Sequence, residues 1–292
     1  LKIRDPSGKT ILERVLRESA LALSDEQYHT IATGLSASAD LASLDTELTD
    51  RFTGMRMLDG LCYFGHTGDY SSAVSKGSGL NSAFLSGVTV SGSSTPPWIV
   101  AASAAAIDAG ETERDPARPR TGLRLPEVMA PAKEDRLIQS ERNALLFGGI
   151  STTTVDDGGN VLIERLITTY QTNAAGIDDP SYLKVVSLRT LSRIRYALRT
   201  RLALTYPRHK LANDGTRFAP GQAVATPQRI RGTLLRLFDE WERDGLVEDA
   251  EQFATDLLVE RDSTDLDTVN IRLSPNLINQ LYVQKAQIQF LN

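Results

Sequence analysis

The stretch SAFLSGVTVSGSSTPPWIVAASAAAIDAG, Ser82 to Gly110, decides the fold class. It opens with a short β-prone apolar run, Ala83 to Val90, and passes through Ser and Gly to Thr95. Pro96 and Pro97 follow, residues tolerated in a first helical turn because their missing N–H groups have no partner there in any case. The spacing predicts a helix with Thr95 as its N-cap and Gly110 as its end. Five alanines, at 101, 102, 104, 105 and 106, give that helix a thin face that lets it sit close to a sheet. Trp98 reads as a packing residue on it. A strand followed at once by such a helix is the unit of a mostly parallel α/β layer.

Working outward, the same alternation continues on both sides. Lys9 to Leu23 reads as an amphipathic helix, with Ile11, Leu12, Val15, Leu16 and Leu23 on a 3.6-residue period. Strand candidates are Gln27 to Thr33 and Met57 to Phe64, with a helix from Asp40, its expected N-cap, to about Phe52 between them. Asp115 to Pro131 is rich in Pro and Arg and reads as extended or looped, before a helix from Lys133 to Phe147. Ser151 to Thr169 predicts a hairpin about Asp156-Asp157-Gly158-Gly159, where the glycines supply the φ > 0 that the turn requires.

The pattern changes near Tyr170 to Asp179, where a domain boundary is expected. A long helix from Ser181 to about Tyr206 carries a core stripe of Leu188, Leu191, Ile194, Leu198 and Leu202. A loop from His209 to Ala225 leads to a second helix, Pro227 to Asp244, stopped by Gly245; Trp241 packs on it. Three strand candidates close the chain: Leu257 to Arg261, Val269 to Leu273 and Leu281 to Phe290. The expected organisation is residues 1–24 as a helical segment of open attachment, 25–170 as a mixed α/β domain and 171–292 as a smaller α+β domain. The first residue is Leu1 rather than Met, which suggests a trimmed chain.

With 41% hydrophobic and 24% charged residues, the 292-residue chain has the composition of a soluble globular protein. Its longest apolar run, Trp98 to Ile107, is half of what spans a bilayer, so no membrane insertion is expected. The single cysteine, Cys62, excludes an intrachain disulfide and reads as a small core residue. The net charge of −5 argues against nucleic acid as the main partner; the Lys184 to Lys210 helix alone keeps a binding module as an alternative, marked by steep salt dependence.

Chemistry-bearing patterns are few. Ser7-Gly8-Lys9-Thr10 resembles the end of a phosphate-binding loop, but Ile3 stands where the first glycine belongs. Of three histidines, His66 is best placed to act as a base, with Asp69, Ser71 and Ser72 near it. No G-x-S-x-G elbow accompanies it, so a loop histidine and a hydrolase-like enzyme stand as the bland and sharp readings. Asp262, Asp265 and Asp267 lack the glycine and glutamate of a calcium loop and read as an acidic turn. No catalytic set, metal site or cofactor is expected, and function must then come from association.

Charge is segregated. Pro180 to Asn213 holds eight Lys or Arg and no acid, whereas Asp239 to Asp267 holds twelve acids against Arg243 and Arg261. Segregated charge steers self-complementary assembly. Arg189, Arg193 and Arg199 on one helix, and Asp239, Glu240 and Glu242 on the other, are the candidate contacts to partners. Alternatively, the two helices neutralise each other within the domain. In the last strand candidate, Leu281, Val283, Ala286, Ile288 and Phe290 are the candidate interface residues; this strand either completes its own sheet or offers an edge to another chain.

Three phrases are more particular than these patterns: DDGGNVLIERLITTYQTNAAG (156–176), YPRHKLANDGTRFAPGQAVATP (206–227) and the ending QLYVQKAQIQF (280–290). In this order they resemble the tail sheath proteins of contractile-tailed bacteriophages, most closely those of Mu-like phages, over roughly Asp25 to the end. The resemblance implies a non-catalytic domain of subtilisin-like layout. It also implies a structural subunit that stacks as hexameric rings around a tail tube and contracts to drive the tube through a bacterial envelope. The partners implied are further copies of the chain, joined by exchange of terminal strands, the tail tube protein, and the baseplate and tail terminator proteins. The implied location is the virion tail, assembled in the bacterial cytoplasm, whether of a phage, a prophage remnant or a bacteriocin.

Overall fold

Two strands without an exposed residue, Leu61–His66 (β2) and Leu85–Thr89 (β3), form the centre of the fold. The structure, a computed structural model, describes residues 25–289, so the helix expected over 9–23 and Phe290 lie outside the described residues. Contact density divides the chain into two units, at Leu188 and Arg189.

In the first unit a six-stranded sheet runs β1-β2-β3-β5-β6-β4. Thr30–Ala32 (β1) pairs parallel to β2, and β2 parallel to β3 from Cys62↔Leu85 to His66↔Thr89. Arg124–Met129 (β4), Ile150–Val155 (β5) and Asn160–Arg165 (β6) complete it, with β6 antiparallel to both neighbours. The connecting helices are Ser38–Phe52 (α1), Tyr70–Ser78 (α2), Pro97–Arg114 (α3) and Gln139–Phe147 (α4). Strands buried on both faces read as unbroken apolar runs, and Leu61, Cys62, Tyr63 and Phe64 are all fully buried.

The fold is thus mixed α/β, as the strand–helix alternation predicts. The alanine face explains the tight layer: Ala101 and Ala104 are fully buried. The approach is closest where a Cβ on Gly65 would stand 1.9 Å from the Pro97 carbonyl oxygen.

Several local expectations are corrected. Thr95 does not cap α3: Pro96 is the N-cap, and the Thr95 hydroxyl instead accepts from the Met129 amide at 2.8 Å, tying the loop to β4. Gly110 does not end α3, which continues to Arg114 because Glu111 and Arg114 pair on its last turn. Trp98 is 58% exposed, since its position lies at the side of the helical face that buries Val100, Ala101 and Ala104. Asp40 lies inside α1, whose N-cap is Ala37. The helix expected from Lys133 breaks into a single 3-10 turn, Lys133–Asp135, and α4. The hairpin forms as read: Asp156 Oδ1 accepts from the Asn160 amide at 2.7 Å, and Gly159 takes φ +78°.

The second unit begins within Val185–Thr205 (α5). Of the stripe expected on α5, Leu188 and Ile194 are buried and the others are half-buried. Lys210–Leu211 (β7) and Val224–Ala225 (β8) make a two-residue parallel pair within the expected loop. Pro227–Arg243 (α6) buries Ile230, Leu234, Leu237, Phe238 and Trp241 on one face, the amphipathic period of a surface helix. Thr226 caps it, and Gly245, at φ +71°, terminates it as expected. Val247–Glu248 (β9), Ala250–Asp256 (α7), Leu258–Arg261 (β10), Val269–Arg272 (β11) and Asn276–Leu277 (β12) follow. Phe253 of α7 stacks on Phe238, ring centroids 4.0 Å apart.

Candidate functional site: association surfaces

The last ladder of the chain is short for a backbone reason. β12 pairs antiparallel with β9 through Asn276↔Glu248 and Leu277↔Val247, and the Ile278 amide donates to the Leu246 carbonyl. There the partner runs out, because the antiparallel register carries Ile278 and the residues after it toward Gly245, whose φ of +71° marks the turn out of α6. Residues 279–289 lie in no strand or helix. The strand expected from Leu281 is therefore in no ladder among the described residues. Leu281, Val283 and Ile288 are 69%, 70% and 91% exposed, and Ala286 is exposed with them.

A second feature of this unit is the hairpin β10–β11. It pairs over four residues, from Leu258↔Arg272 to Arg261↔Val269, and among the described residues belongs to a sheet of two strands. Its turn is built by the acids read from sequence: Asp262 accepts from the amides of Thr264 and Asp265. Two-stranded sheets keep open edges and are marginal by themselves.

The charged helices meet at Arg201. Arg201 forks onto Glu240, with bonds of 3.1 and 2.5 Å. Arg193, Asp239 and Glu242 are exposed, Arg199 is half-buried near the Tyr196 ring, and Arg189, only 4% exposed, lies away from the surface. Between α5 and α6 runs a groove of about 350 Å³, lined among others by Arg193, Tyr196, Leu204, Leu237 and Trp241. Tyr196 and Leu204 are 44% and 74% exposed. Sequence reasoning missed these two. Their spacing of two helical turns, on a face away from Leu188 and Ile194, was the available signal.

Comparison with known proteins shows the family of the chain. The phage tail sheath protein central domain matches residues 16–169, and the phage tail sheath C-terminal domain matches residues 178–290. The chain belongs to the phage tail sheath family. It is 40% identical over 269 residues to the Mu-like prophage FluMu tail sheath protein of Haemophilus influenzae, covering 92% of this chain and 55% of that one. It thus spans about half the length of that relative. Its fold is similar to the sheath tail protein of Desulfitobacterium hafniense, with TM-score 0.62, 16% identity, and 96% and 60% of the two chains covered. It is also similar to the anti-feeding prophage helical sheath in its contracted state, with TM-score 0.55, 13% identity, and 100% and 75% covered.

In this sheath-family chain the hydrolase-like cluster about His66 is a helix cap. His66 ends β2 and places Nε2 3.1 Å from Ser72 Oγ and Nδ1 3.3 Å from Thr89 Oγ1. The Ser72 hydroxyl donates to the Asp69 carbonyl at 2.9 Å, a group that can only accept. The imidazole then donates Nε2–H to Ser72 rather than offering it a lone pair. Among the described residues no carboxylate orients the ring: Asp69 instead caps α2, accepting from the Ser72 amide and the Ser71 hydroxyl. A general base needs the opposite polarity and an orienting group. Burial, reinforced by Lys76, holds the His66 pKa below its usual value. Hydrogen bonds from Ser72, then Ser71, hold the Asp69 carboxyl below the usual carboxylate range.

Proposed function

We propose that the chain is a structural subunit of a contractile tail sheath, without turnover or fuel. It polymerises as stacked hexameric rings around a tail tube and contracts to drive the tube through the host envelope. The observation that carries this reading is the exposed apolar segment after β12 in a chain of this family. Leu281, Val283, Ala286, Ile288 and Phe290 form the strand that a neighbouring copy takes up by β-augmentation. The open hairpin β10–β11 supports it from the receiving side. Such a link joins subunits through backbone hydrogen bonds while their packed surfaces rearrange, a type of switch that needs two packings of one surface.

Residues 25–170 serve as the sheath domain, of subtilisin-like layout without a catalytic set, a reading supported by its four parallel strands and intervening helices. Residues 171–292 carry the linking elements. Arg193, Arg199, Asp239 and Glu242 meet the tube or a sheath neighbour, Glu240 is drawn on by Arg201, and buried Arg189 positions its helix. The further partners are the tube, baseplate and terminator proteins, and the location is a tail assembled in the bacterial cytoplasm.

Negative-stain electron microscopy of the chain tests the proposal. Hollow striated cylinders, lost when the chain is cut before Gln280, are the expected result. Dispersed particles that also fail to coat purified tail tubes would overturn it.

A further inference from the structure

The parallel ladder between β3 and β5 lasts two residue pairs, Gly87↔Ile150 and Val88↔Ser151. Beyond Ser151 the register of β5 shifts as it turns to run with β6, while the chain after β3 continues into Val90 and Ser91. The two segments part as a wedge. At its apex Thr153 Oγ1 donates to the Thr89 carbonyl at 2.9 Å. The opening is a pocket of about 250 Å³. Val90, Leu137 and Val155 supply apolar wall, and Arg136 and Arg142 line the same space.

The two guanidinium groups are not equally satisfied. Arg142 donates Nε to Glu164 Oε2 at 2.9 Å and Nη1 to the Leu137 carbonyl at 2.7 Å. Arg136 donates only Nε, to the Pro131 carbonyl at 3.3 Å, and forms no ion pair among the described residues. One carboxylate therefore balances two cations. The Arg136 fork, with both terminal nitrogens open, is the geometry that takes a carboxylate in two parallel hydrogen bonds.

We infer that this wedge binds a carboxylate on a short apolar stem: the Arg136 fork holds the charged end, and Val90, Leu137 and Val155 cover the stem. The volume lies below the roughly 300–1,000 Å³ of sites for larger ligands, which suits a group the size of one acidic side chain. A free small carboxylic acid and an Asp or Glu of a second copy present that same chemistry.

The probe is sodium glutarate, titrated into the chain carrying labelled Val and Leu methyl groups and followed by NMR. Saturable shifts at Val90, Leu137 and Val155 are expected, with binding weakened about tenfold or more in Arg136→Gln, since hydrogen bonds to charged groups are lost. Unmoved methyls of Leu61 and Leu85 certify the fold of the variant; should it be disturbed, Arg136→Lys, which keeps the charge and loses the fork, replaces it. Sedimentation velocity separates the sources. Self-association reduced by glutarate or by Arg136→Gln assigns the carboxylate to a second copy. Glutarate binding that leaves association unchanged assigns it to a free acid. No shifts together with identical sedimentation of both chains, or shifts that persist undiminished in the variant, overturn the inference.

Discussion

Arg120 Nε donates to Asp108 Oδ1 at 3.0 Å, with both side chains withdrawn from solvent, 1% and 0% exposed. The same guanidinium also donates to the carbonyls of Asp115 and Arg118 and to the Thr112 hydroxyl. The pair thus fastens the segment after α3 to the helix it has just left, on the way to β4. Removing one partner of a buried pair leaves an uncompensated charge, at a cost of about 3–5 kcal/mol. Arg120→Ala is expected to lower stability by roughly that amount in urea unfolding. Replacing both partners by apolar residues is expected to recover most of it, and a loss below about 1 kcal/mol for the single variant would count against the network.

Gly65 has no room for a side chain. A Cβ there would stand 1.9 Å from the Pro97 oxygen and 2.7 Å from its carbonyl carbon, both backbone atoms that cannot rotate away. Gly65→Ala is expected to force β2 and α3 apart and cost more than about 3 kcal/mol. A thermal melt within two degrees of the unaltered chain would refute the close approach.

The tail separates assembly from folding. Because Leu281, Val283 and Ile288 are exposed, replacing all three with Asp is expected to change stability by less than about 0.5 kcal/mol at each site. Polymerisation should nevertheless be abolished, as scored by sedimentation and electron microscopy. Full polymerisation of the triple variant would contradict strand donation.

The pH response of His66 has a definite sign. Burial first, then Lys76, holds its folded pKa below the unfolded value of about 6.5. The unfolded chain therefore binds the proton more readily. Stability from this site is present above about pH 6.5 and is lost as pH falls through the folded pKa. His66→Asn is expected to flatten the stability profile between about pH 7.5 and 5.5, measured as urea midpoints. Equal slopes for both chains would remove the effect.

At the surface, Arg201 and Glu240 remain 38% and 45% exposed. Water screens such pairs, so Arg201→Ala is expected to cost no more than about 1 kcal/mol, and less at high salt. A loss of several kcal/mol would mean the pair anchors α5 to α6 rather than trimming surface charge.

What was legible in the sequence follows from the range of the forces involved. The hairpin at Asp156 to Gly159, the Gly245 stop, the alanine face of α3 and the span of α6 depend on residues within a few positions, and their signals were sufficient. Thr95 was misread because its hydroxyl serves Met129, 34 positions away. β4 lay hidden in a Pro- and Arg-rich segment because its pairing with β6 is irregular, registered only at Arg124 and Met129. The Arg136–Arg142 pocket left no pattern to find, since its walls come from the segment after β3, from β5, and from α4 and its approach.

By itself, then, the sequence determined the mixed α/β class, the positions of most helices and strands, and the family, through long phrases that survive in order. Tertiary structure alone decided the sheet order, the burial of Arg189 and Arg120, the exposure of Trp98, and the fate of the tail. The tail is the clearest case. Alternation from Ala286 to Ile288 makes a segment able to be a strand, but a strand exists only against a partner. On the tail's side the ladder offered by β9 ends at Leu246, where the chain comes out of α6 through Gly245, because hydrogen-bonded pairing is a property of two backbones and not of one sequence.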